Sequence, residues 1–234
     1  MVAIRQVASQ TARHHWTDWA GVAFFLVLAV AVLWKAPILG IMMLPIFLCD
    51  VVVGISFLIR QPAKARLEGW APRIATYGGA FLVQTFLVFA SSRHPAWLAP
   101  TPAPWALKTG ISIWFVGLIL NTYAIWHLRR CFSISPQARE LVRTGPYRLA
   151  RHPIYATHVV MTIGIVLAHL TLPVLMVVLA WVGLMSARVH YEEMVLEGTF
   201  PEYAEYRRQV GLFGPRWFSV GTAHEKRAQV PPAA

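Results

Sequence analysis

The chain has 234 residues, of which 57% are hydrophobic and only 13% are charged, and its formal net charge is +11. A mean hydropathy of +0.53 excludes an ordinary soluble domain. The apolar runs are long and continuous, which excludes a membrane barrel of short alternating strands, so the predicted fold is an all-α, multi-pass transmembrane helical protein.

Residues 1–18 precede the first apolar run and contain arginines and histidines but no apolar core. They do not resemble a cleavable signal peptide, and we expect a cytoplasmic segment that forms a surface helix or a tail. Six spans are predicted after it: Trp19–Trp34, Ile38–Ile59, Ile74–Ala90, Gly110–Leu128, Ile154–Leu170 and Leu172–Ala187. Several of these are shorter than the about 20 residues that a perpendicular helix needs to cross a bilayer.

The basic residues are distributed unevenly about these spans. Of the 21 Lys and Arg residues, all except Lys35, Arg93 and Lys108 lie on the side that carries both termini. The positive-inside rule places that side in the cytoplasm, and we expect a multi-pass protein of a bacterial inner membrane. Cations beside membrane spans also attract anionic head groups, so membrane lipids, and not nucleic acid, are the expected partners of this basic chain.

The two halves of the chain differ in the chemistry of their connections. We treat the chain as one domain with four regions: an N-terminal segment (1–18), a membrane-spanning region (19–128), a core with the last helical hairpin (129–218) and a tail (219–234). Asp50 in the second span is an intramembrane acid, but without an obvious basic partner its structural interpretation is favoured. Cys49 and Cys131 lie in different regions and no Cys/His zinc spacing occurs, so neither a disulfide nor a metal site is predicted.

The connection "GPYRLARHPIY" before the fifth span is dense in cations, aromatics and prolines. Gly145-Pro146 interrupts any helix, and Pro153 has the fixed φ of a first helical turn, so the fifth helix should begin near His152. The first backbone N–H groups of that helix, beside Arg148 and Arg151, would form an anion site for a carboxylate or a phosphate. The alternative is that these arginines only mark the inner leaflet.

A second polar cluster follows the last span, in "ARVHYEEMVLEGTFPEYAEYRRQV". The spacing of four places Arg188 and Glu192 on one helical face, with Glu193 about 100° further round. Since the loop between the fifth and sixth spans is very short, those helices should form an antiparallel hairpin. Both polar clusters would then return to the same cytoplasmic edge and share one pocket.

The runs "FSISPQARELVRTGPYRLARHPIY" and "EEMVLEGTFPEYAEY" resemble the C-terminal signature of the isoprenylcysteine carboxyl methyltransferase and phospholipid methyltransferase superfamily. The resemblance covers roughly Phe132 to Val210 and implies a pocket for S-adenosyl-L-methionine within the last hairpin. It implies an acceptor-facing role for Arg188 and cofactor-binding roles for Glu140, Leu141, Val142, Tyr147, His152, Pro153, Ile154, Tyr155 and Glu192. Thr157 stands where the superfamily usually has glycine, and Arg139 where another polar residue is common.

The chemistry of the implied cofactor suits these side chains. Its carboxylate suits Arg148 or Arg151, its ammonium or ribose suits Glu192 or Glu193, and its adenine or sulfonium suits the faces of Tyr147 and Tyr155. We therefore add Arg148 to the cofactor site and assign catalytic roles to Arg188, Arg151 and Glu193. Methyl transfer is an in-line displacement in which positioning supplies most of the catalysis, and it needs no metal.

The sequence thus predicts an S-adenosyl-L-methionine-dependent methyltransferase whose amphiphilic acceptor enters sideways from the bilayer. An isoprenylcysteine carboxyl O-methyltransferase type is favoured, with a phospholipid (phosphatidylethanolamine) N-methyltransferase as the alternative. Two other classes stay open: an NADPH-dependent membrane lipid reductase, whose phosphates the acids of the pocket would repel, and a non-catalytic transporter or scaffold. The soluble methyltransferase fold is excluded, since no strand leads into a glycine-rich GxGxxG turn.

Overall fold

The computed structural model of the chain describes residues 3–6, 16–39 and 44–216. In chain order its elements are β1 (Ala3–Gln6), α1 (Trp16–Leu39), α2 (Leu44–Ile59), β2 (Ala65–Glu68), α3 (Trp70–Arg93), α4 (Pro104–Leu128), β3 (Gln137–Ala138), α5 (Pro153–Ala168), α6 (Leu172–Thr199) and α7 (Tyr203–Gln209). Short 3-10 turns occur at Pro95–Leu98, Arg129–Cys131 and Gly145–Arg148. The predicted all-α, multi-pass membrane fold is confirmed, with the addition of one small sheet.

Six apolar helices lie where six spans were predicted. Within the described part of the chain, three of them are long and apolar enough to cross a membrane, namely α3, α4 with the turn that follows it, and α6. α2 and α5 are shorter, and only Trp19–Ala31 of α1 is described in full, so the number of spans stays a prediction. The predicted start of the second span at Ile38 is wrong, because α1 continues to Leu39. α6 continues past Ala187 to Thr199, so one helix carries Arg188, Glu192 and Glu193.

The predicted hairpin of α5 and α6 is open, because each helix packs mainly on a different neighbour. α5 lies along α4 and α6 lies along α3. α4 and α5 approach closely at Gly110 and Gly164, where a Cβ on either glycine would lie 2.5 Å from the carbonyl oxygen of the other. On the other side, Trp181 Nε1 donates to the Gly79 carbonyl oxygen at 3.0 Å. The space between α5 and α6 at the end that carries Tyr155 and Glu192 is therefore available for a site.

Thr157 belongs to a buried polar contact between helices. Its hydroxyl donates to Asn121 Oδ1 at 3.0 Å and to the Ile154 carbonyl at 2.7 Å. Asn121 Nδ2 in turn lies 3.9 Å from Cys49 Sγ, so the contact joins α5, α4 and α2. The residue that departs from the superfamily's glycine thus connects helices within the bundle.

The sheet joins three distant parts of the chain in the order β1-β2-β3, with antiparallel pairing throughout. In β2 the side chains of Ala65 and Leu67 are buried and those of Arg66 and Glu68 are exposed. Its buried face packs, together with Ala138 of β3, against a cluster that contains Val195, Phe200, Tyr203 and Tyr206. The expectation of a helix or tail at the N-terminus is wrong for residues 3–6, which pair with β2 as an edge strand. Such pairing between distant segments leaves no local pattern in a four-residue stretch.

Candidate active site

An open cleft with a cavity volume of about 120 Å³ lies beside the sheet. One wall is the segment from Leu128 to Glu140, which leaves α4 and passes through β3. The opposite wall is formed by Tyr147, the first residues of α5 and the C-terminal part of α6. The two polar clusters of the sequence therefore face one space.

The structure brings most of the predicted residues to this cleft. Those that line it are Glu140, Tyr147, Arg151, His152, Pro153, Ile154, Tyr155, Arg188 and Glu192. Four others do not line it. Leu141 packs against the core cluster beneath the sheet, Val142 is half-buried, Arg148 is exposed, and Glu193 lies behind Arg151. Asp50 on α2 is also outside the lining.

The start of α5 is held by the chain that follows α7. Helix α5 begins at Pro153 with His152 as its N-cap, as predicted. The backbone N–H groups of Arg151 and His152 donate to the carbonyl oxygens of Gly211 and Leu212 at 2.9 and 3.0 Å. These two N–H groups are thus already bonded. Binding of an anion at this end of the helix would therefore depend more on side chains, and less on backbone N–H groups, than the sequence predicts.

The turn before α5 is fixed just as tightly. Gly145 has φ +57°, and a Cβ there would lie 2.4 Å from His127 Nδ1, so both backbone and space require glycine. The Tyr206 hydroxyl donates to the Tyr147 carbonyl at 2.6 Å. Burial raises the pKa of Tyr147 well above its ordinary value, so its phenol stays protonated at the edge of the cleft.

Glu192 is the point at which α5 and α6 meet. Its Oε1 lies 3.2 Å from Arg188 Nε and also accepts the hydroxyl proton of Tyr155. The guanidinium carbon of Arg188 is 5.1 Å from the centroid of the Tyr155 ring. Arg188 further donates to the carbonyl oxygens of Ile134 at 3.0 Å and Thr76 at 3.4 Å. One buried guanidinium therefore ties both walls of the cleft to α3.

A second acid–base group stands beside the first. Arg151 Nη1 lies 3.2 Å from Glu193 Oε1, at ion-pair distance but outside hydrogen-bond geometry. The same oxygen accepts the Tyr203 hydroxyl at 3.0 Å and lies 3.4 Å from His152 Nε2. The His152 ring stacks on Tyr155 with 5.3 Å between centroids and 9° between planes. This group connects α5, α6 and α7 and presents a flat aromatic surface to the cleft.

Of the polar residues in the first wall, only Glu140 was predicted to belong to the site, and four others had no predicted role there. Gln137 Nε2 donates to Ser135 Oγ at 2.7 Å, Arg139 Nη2 donates to Gln137 Oε1 at 2.7 Å, and Ser133 Oγ is 3.5 Å from Ser135 Oγ. We call Ser133, Ser135, Gln137 and Arg139 the polar strip, and all four line the cleft. They occur at every second position of "SISPQAR", the period of an extended segment with one polar face, and this period could have identified them.

Comparison with known proteins agrees with this geometry. Residues 105–203 match the family model described as phospholipid methyltransferase. The matched region runs from α4 to the start of α7 and contains every residue that lines the cleft. The resemblance to the superfamily of integral membrane methyltransferases is thereby confirmed, and the match supports a membrane methyltransferase.

Two curated relatives are similar over part of their length. Over 138 residues the chain is 26% identical to the nickel-cobalt-cadmium resistance protein NccN of Alcaligenes xylosoxydans xylosoxydans. This alignment covers 58% of this chain and 62% of the relative. Over 77 residues it is 38% identical to the cobalt-zinc-cadmium resistance protein CzcN of Cupriavidus metallidurans. This second alignment covers 32% of this chain and 36% of the relative. The chain thus spans less than two thirds of either relative.

Among residues 3–6, 16–39 and 44–216, no group of three or more His, Cys, Asp or Glu is placed to hold a metal ion.

Proposed function

We propose that this protein is an integral membrane methyltransferase that uses S-adenosyl-L-methionine and acts on an amphiphilic acceptor that enters from the bilayer. One observation carries the proposal. Within the region that matches the methyltransferase family, Glu192 and Tyr155 from two apolar helices are bonded to each other inside one cleft. Family and geometry thus support the same site.

The residues of the cleft fit the chemical groups of this cofactor, which when bound supplies an electrophilic methyl group. The Glu192 carboxylate suits an ammonium or ribose hydroxyls, and the stacked faces of His152 and Tyr155 suit adenine or a sulfonium cation. The walls keep the reacting groups in a fixed orientation. Such positioning can lower a barrier by about 7–11 kcal/mol in well-oriented systems.

Arg188 is the residue that we assign to the acceptor. Its guanidinium is held by Glu192, by two backbone carbonyls and by the face of Tyr155, so its direction is fixed before a ligand arrives. A fixed cation in the cleft would orient an anionic acceptor group by charge-assisted hydrogen bonds. Arg151 lines the cleft and pairs with Glu193 behind it, and we propose that these two residues position His152.

A carboxyl O-methyltransferase of the isoprenylcysteine type is the favoured form of this activity. An ionised carboxylate acceptor needs no base, whereas the ammonium of phosphatidylethanolamine must lose a proton before it can accept a methyl group. Glu192 Oε1 already accepts from Tyr155 and Arg188, which makes it a poor candidate for that base. Phosphatidylethanolamine N-methylation is the alternative.

We also propose that the reaction needs no metal, although both relatives are named for metal resistance. Methyl transfer between the groups named above involves no Lewis acid. Binding of S-adenosylhomocysteine to the purified protein should be the same with EDTA as with added nickel, cobalt or cadmium. A metal requirement for binding would contradict this part of the proposal.

Ligand binding and methyl transfer by the purified protein in neutral detergent test the proposal directly. We expect calorimetric binding of S-adenosylhomocysteine and not of NADPH, and transfer of labelled methyl groups to a prenylcysteine analogue in preference to phosphatidylethanolamine. Binding of NADPH alone would instead support the reductase alternative. Binding of neither ligand would support a transporter or a scaffold.

A further inference from the structure

Among the described residues, the buried Arg139 of the polar strip has no carboxylate at ion-pair distance. Arg139 is only 5% exposed and lines the cleft, where its Nη2 donates to the neutral amide oxygen of Gln137. Its buried Nε has no hydrogen-bond partner. The two other arginines of the cleft are different, since Arg188 lies beside Glu192 and Arg151 beside Glu193.

The buried positive charge of Arg139 destabilises the fold when no anion is bound. Burial and the neighbouring Arg66 guanidinium lower its pKa to about 10, so the side chain is still protonated at neutral pH. Within the part of the chain that the structure describes, the carboxylates that form ion pairs contact other cations. A buried charge without a counter-charge destabilises a fold, and such groups are kept where a ligand uses them.

We propose that the polar strip is an oxyanion subsite in which Arg139 binds a carboxylate or a phosphate. Ser135 and Gln137 fix the position of the guanidinium relative to the bound anion. The anion neutralises Arg139 when the ligand binds. The subsite itself stands on the geometry of the strip, whereas the source of the anion rests on the proposed function. The source is either the amino-acid carboxylate of the cofactor or the head group of the acceptor.

Arg139→Gln tests the subsite, with Arg139→Lys as the conservative variant. Arg208→Gln is the matched control, because it removes the same charge from an exposed side chain of α7 that pairs with Glu205. Each protein is titrated with S-adenosylhomocysteine and with 5′-methylthioadenosine, which lacks the amino-acid carboxylate. Each is also titrated with short-chain phosphatidic acid and with the diacylglycerol of the same chain length. Melting temperature is recorded without ligand.

We expect Arg139→Gln to lose affinity for one of the two anionic ligands by a factor of about 10–100, the size of one charge-assisted hydrogen bond. Its affinity for the matching uncharged ligand should not change. The empty variant should melt no lower than the wild type, since an uncompensated buried charge has been removed. Arg139→Lys should retain part of the affinity, and Arg208→Gln all of it.

The pattern of losses identifies the source of the anion. Weaker binding of S-adenosylhomocysteine with normal binding of methylthioadenosine identifies the cofactor carboxylate, and weaker binding of phosphatidic acid alone identifies a lipid head group. Unchanged affinity for both anions would overturn the subsite, as would a lower melting temperature with equal losses for charged and uncharged ligands. A wild-type protein that binds phosphatidic acid but no S-adenosylhomocysteine would contradict the proposed function and leave the subsite in place.

Discussion

Arg188 Nε and Glu192 Oε1 lie 3.2 Å apart, one turn apart on α6, and the same carboxylate oxygen accepts a hydrogen bond from Tyr155 on α5. A pair at this spacing contributes only about 0.2–0.5 kcal/mol on an exposed helix, and less in the order Arg before Glu. A charge-assisted hydrogen bond to a ligand contributes more, about 1.5–3 kcal/mol. The pair on α6 is buried and Arg188 is also bonded to two backbone carbonyls, so we expect a ligand ammonium to share the Glu192 carboxylate with Arg188 and not to displace it.

Replacement of Glu192 by glutamine should weaken S-adenosylhomocysteine binding by one to two decades, since the variant keeps the size of the side chain but loses its charge. Calorimetric titration in neutral detergent measures the change. Glu197→Gln is the control, because Glu197 lies on the same helix and pairs with the exposed Arg207. Equal affinity in the wild type and Glu192→Gln would show that this carboxylate does not bind the cofactor.

Replacement of Arg188 by alanine should depress turnover and leave the dissociation constant of S-adenosylhomocysteine close to normal. The acceptor would lose its orienting cation, whereas the Glu192 carboxylate that we assign to the cofactor would remain. Because Arg188 also bonds the carbonyl oxygens of Thr76 and Ile134, the melting temperature should fall as well. Turnover is therefore compared per folded molecule. A loss of cofactor affinity as large as that of Glu192→Gln would contradict the separate roles.

Replacement of Glu193 by glutamine should destabilise the fold by about 3–5 kcal/mol, because it leaves the buried Arg151 guanidinium unpaired. Denaturant or thermal unfolding of the empty protein measures this loss. Glu205→Gln, which disrupts an exposed pair with Arg208, should leave the melting temperature nearly unchanged. A stable Glu193→Gln variant that turns over slowly would instead make Glu193 a catalytic residue.

Replacement of Gly164 by alanine should destabilise the packing of α4 on α5 by about 1–3 kcal/mol. The added Cβ would lie 2.5 Å from the Gly110 carbonyl oxygen and 2.8 Å from the Trp114 nitrogen, both backbone atoms. Gly183→Ala is the matched control on α6, where a Cβ meets nothing within 4 Å. Equal melting temperatures for both variants would mean that α4 and α5 are less closely packed.

The proposed orientation can be tested by labelling single cysteines. In a background with Cys49 and Cys131 replaced by serine, cysteines at the exposed positions Thr144 and Ala204 should react from the cytoplasmic side. A cysteine at Ala99, between α3 and α4, should react only from the opposite side. If the Thr144 and Ala204 positions were labelled from different sides, the two walls of the cleft could not lie together.

Local signals account for what the sequence predicts well. The apolar runs identify the helices, the Gly145-Pro146 and Pro153 pattern identifies the start of α5, and the spacing of Arg188 and Glu192 identifies their common face. Distant pairing leaves no such signal. The separate packing of α5 on α4 and of α6 on α3 depends on close glycine contacts, and the position of Glu193 depends on Tyr203 from the next helix. The sequence does not assign the polar strip to the site, because its period of two is that of an extended segment in a chain of helices.

The pairing of β2 with β3 has a consequence for the synthesis of the protein. Ala65 and Ala138 become partners only after two helices have been made between them, and β3 packs on α6, which is synthesised later still. Closing such long loops costs entropy that is recovered only when the distant partner arrives. A nascent chain released after α5 would therefore carry the polar strip but no closed cleft around it. Assembly of the cleft must wait for α6.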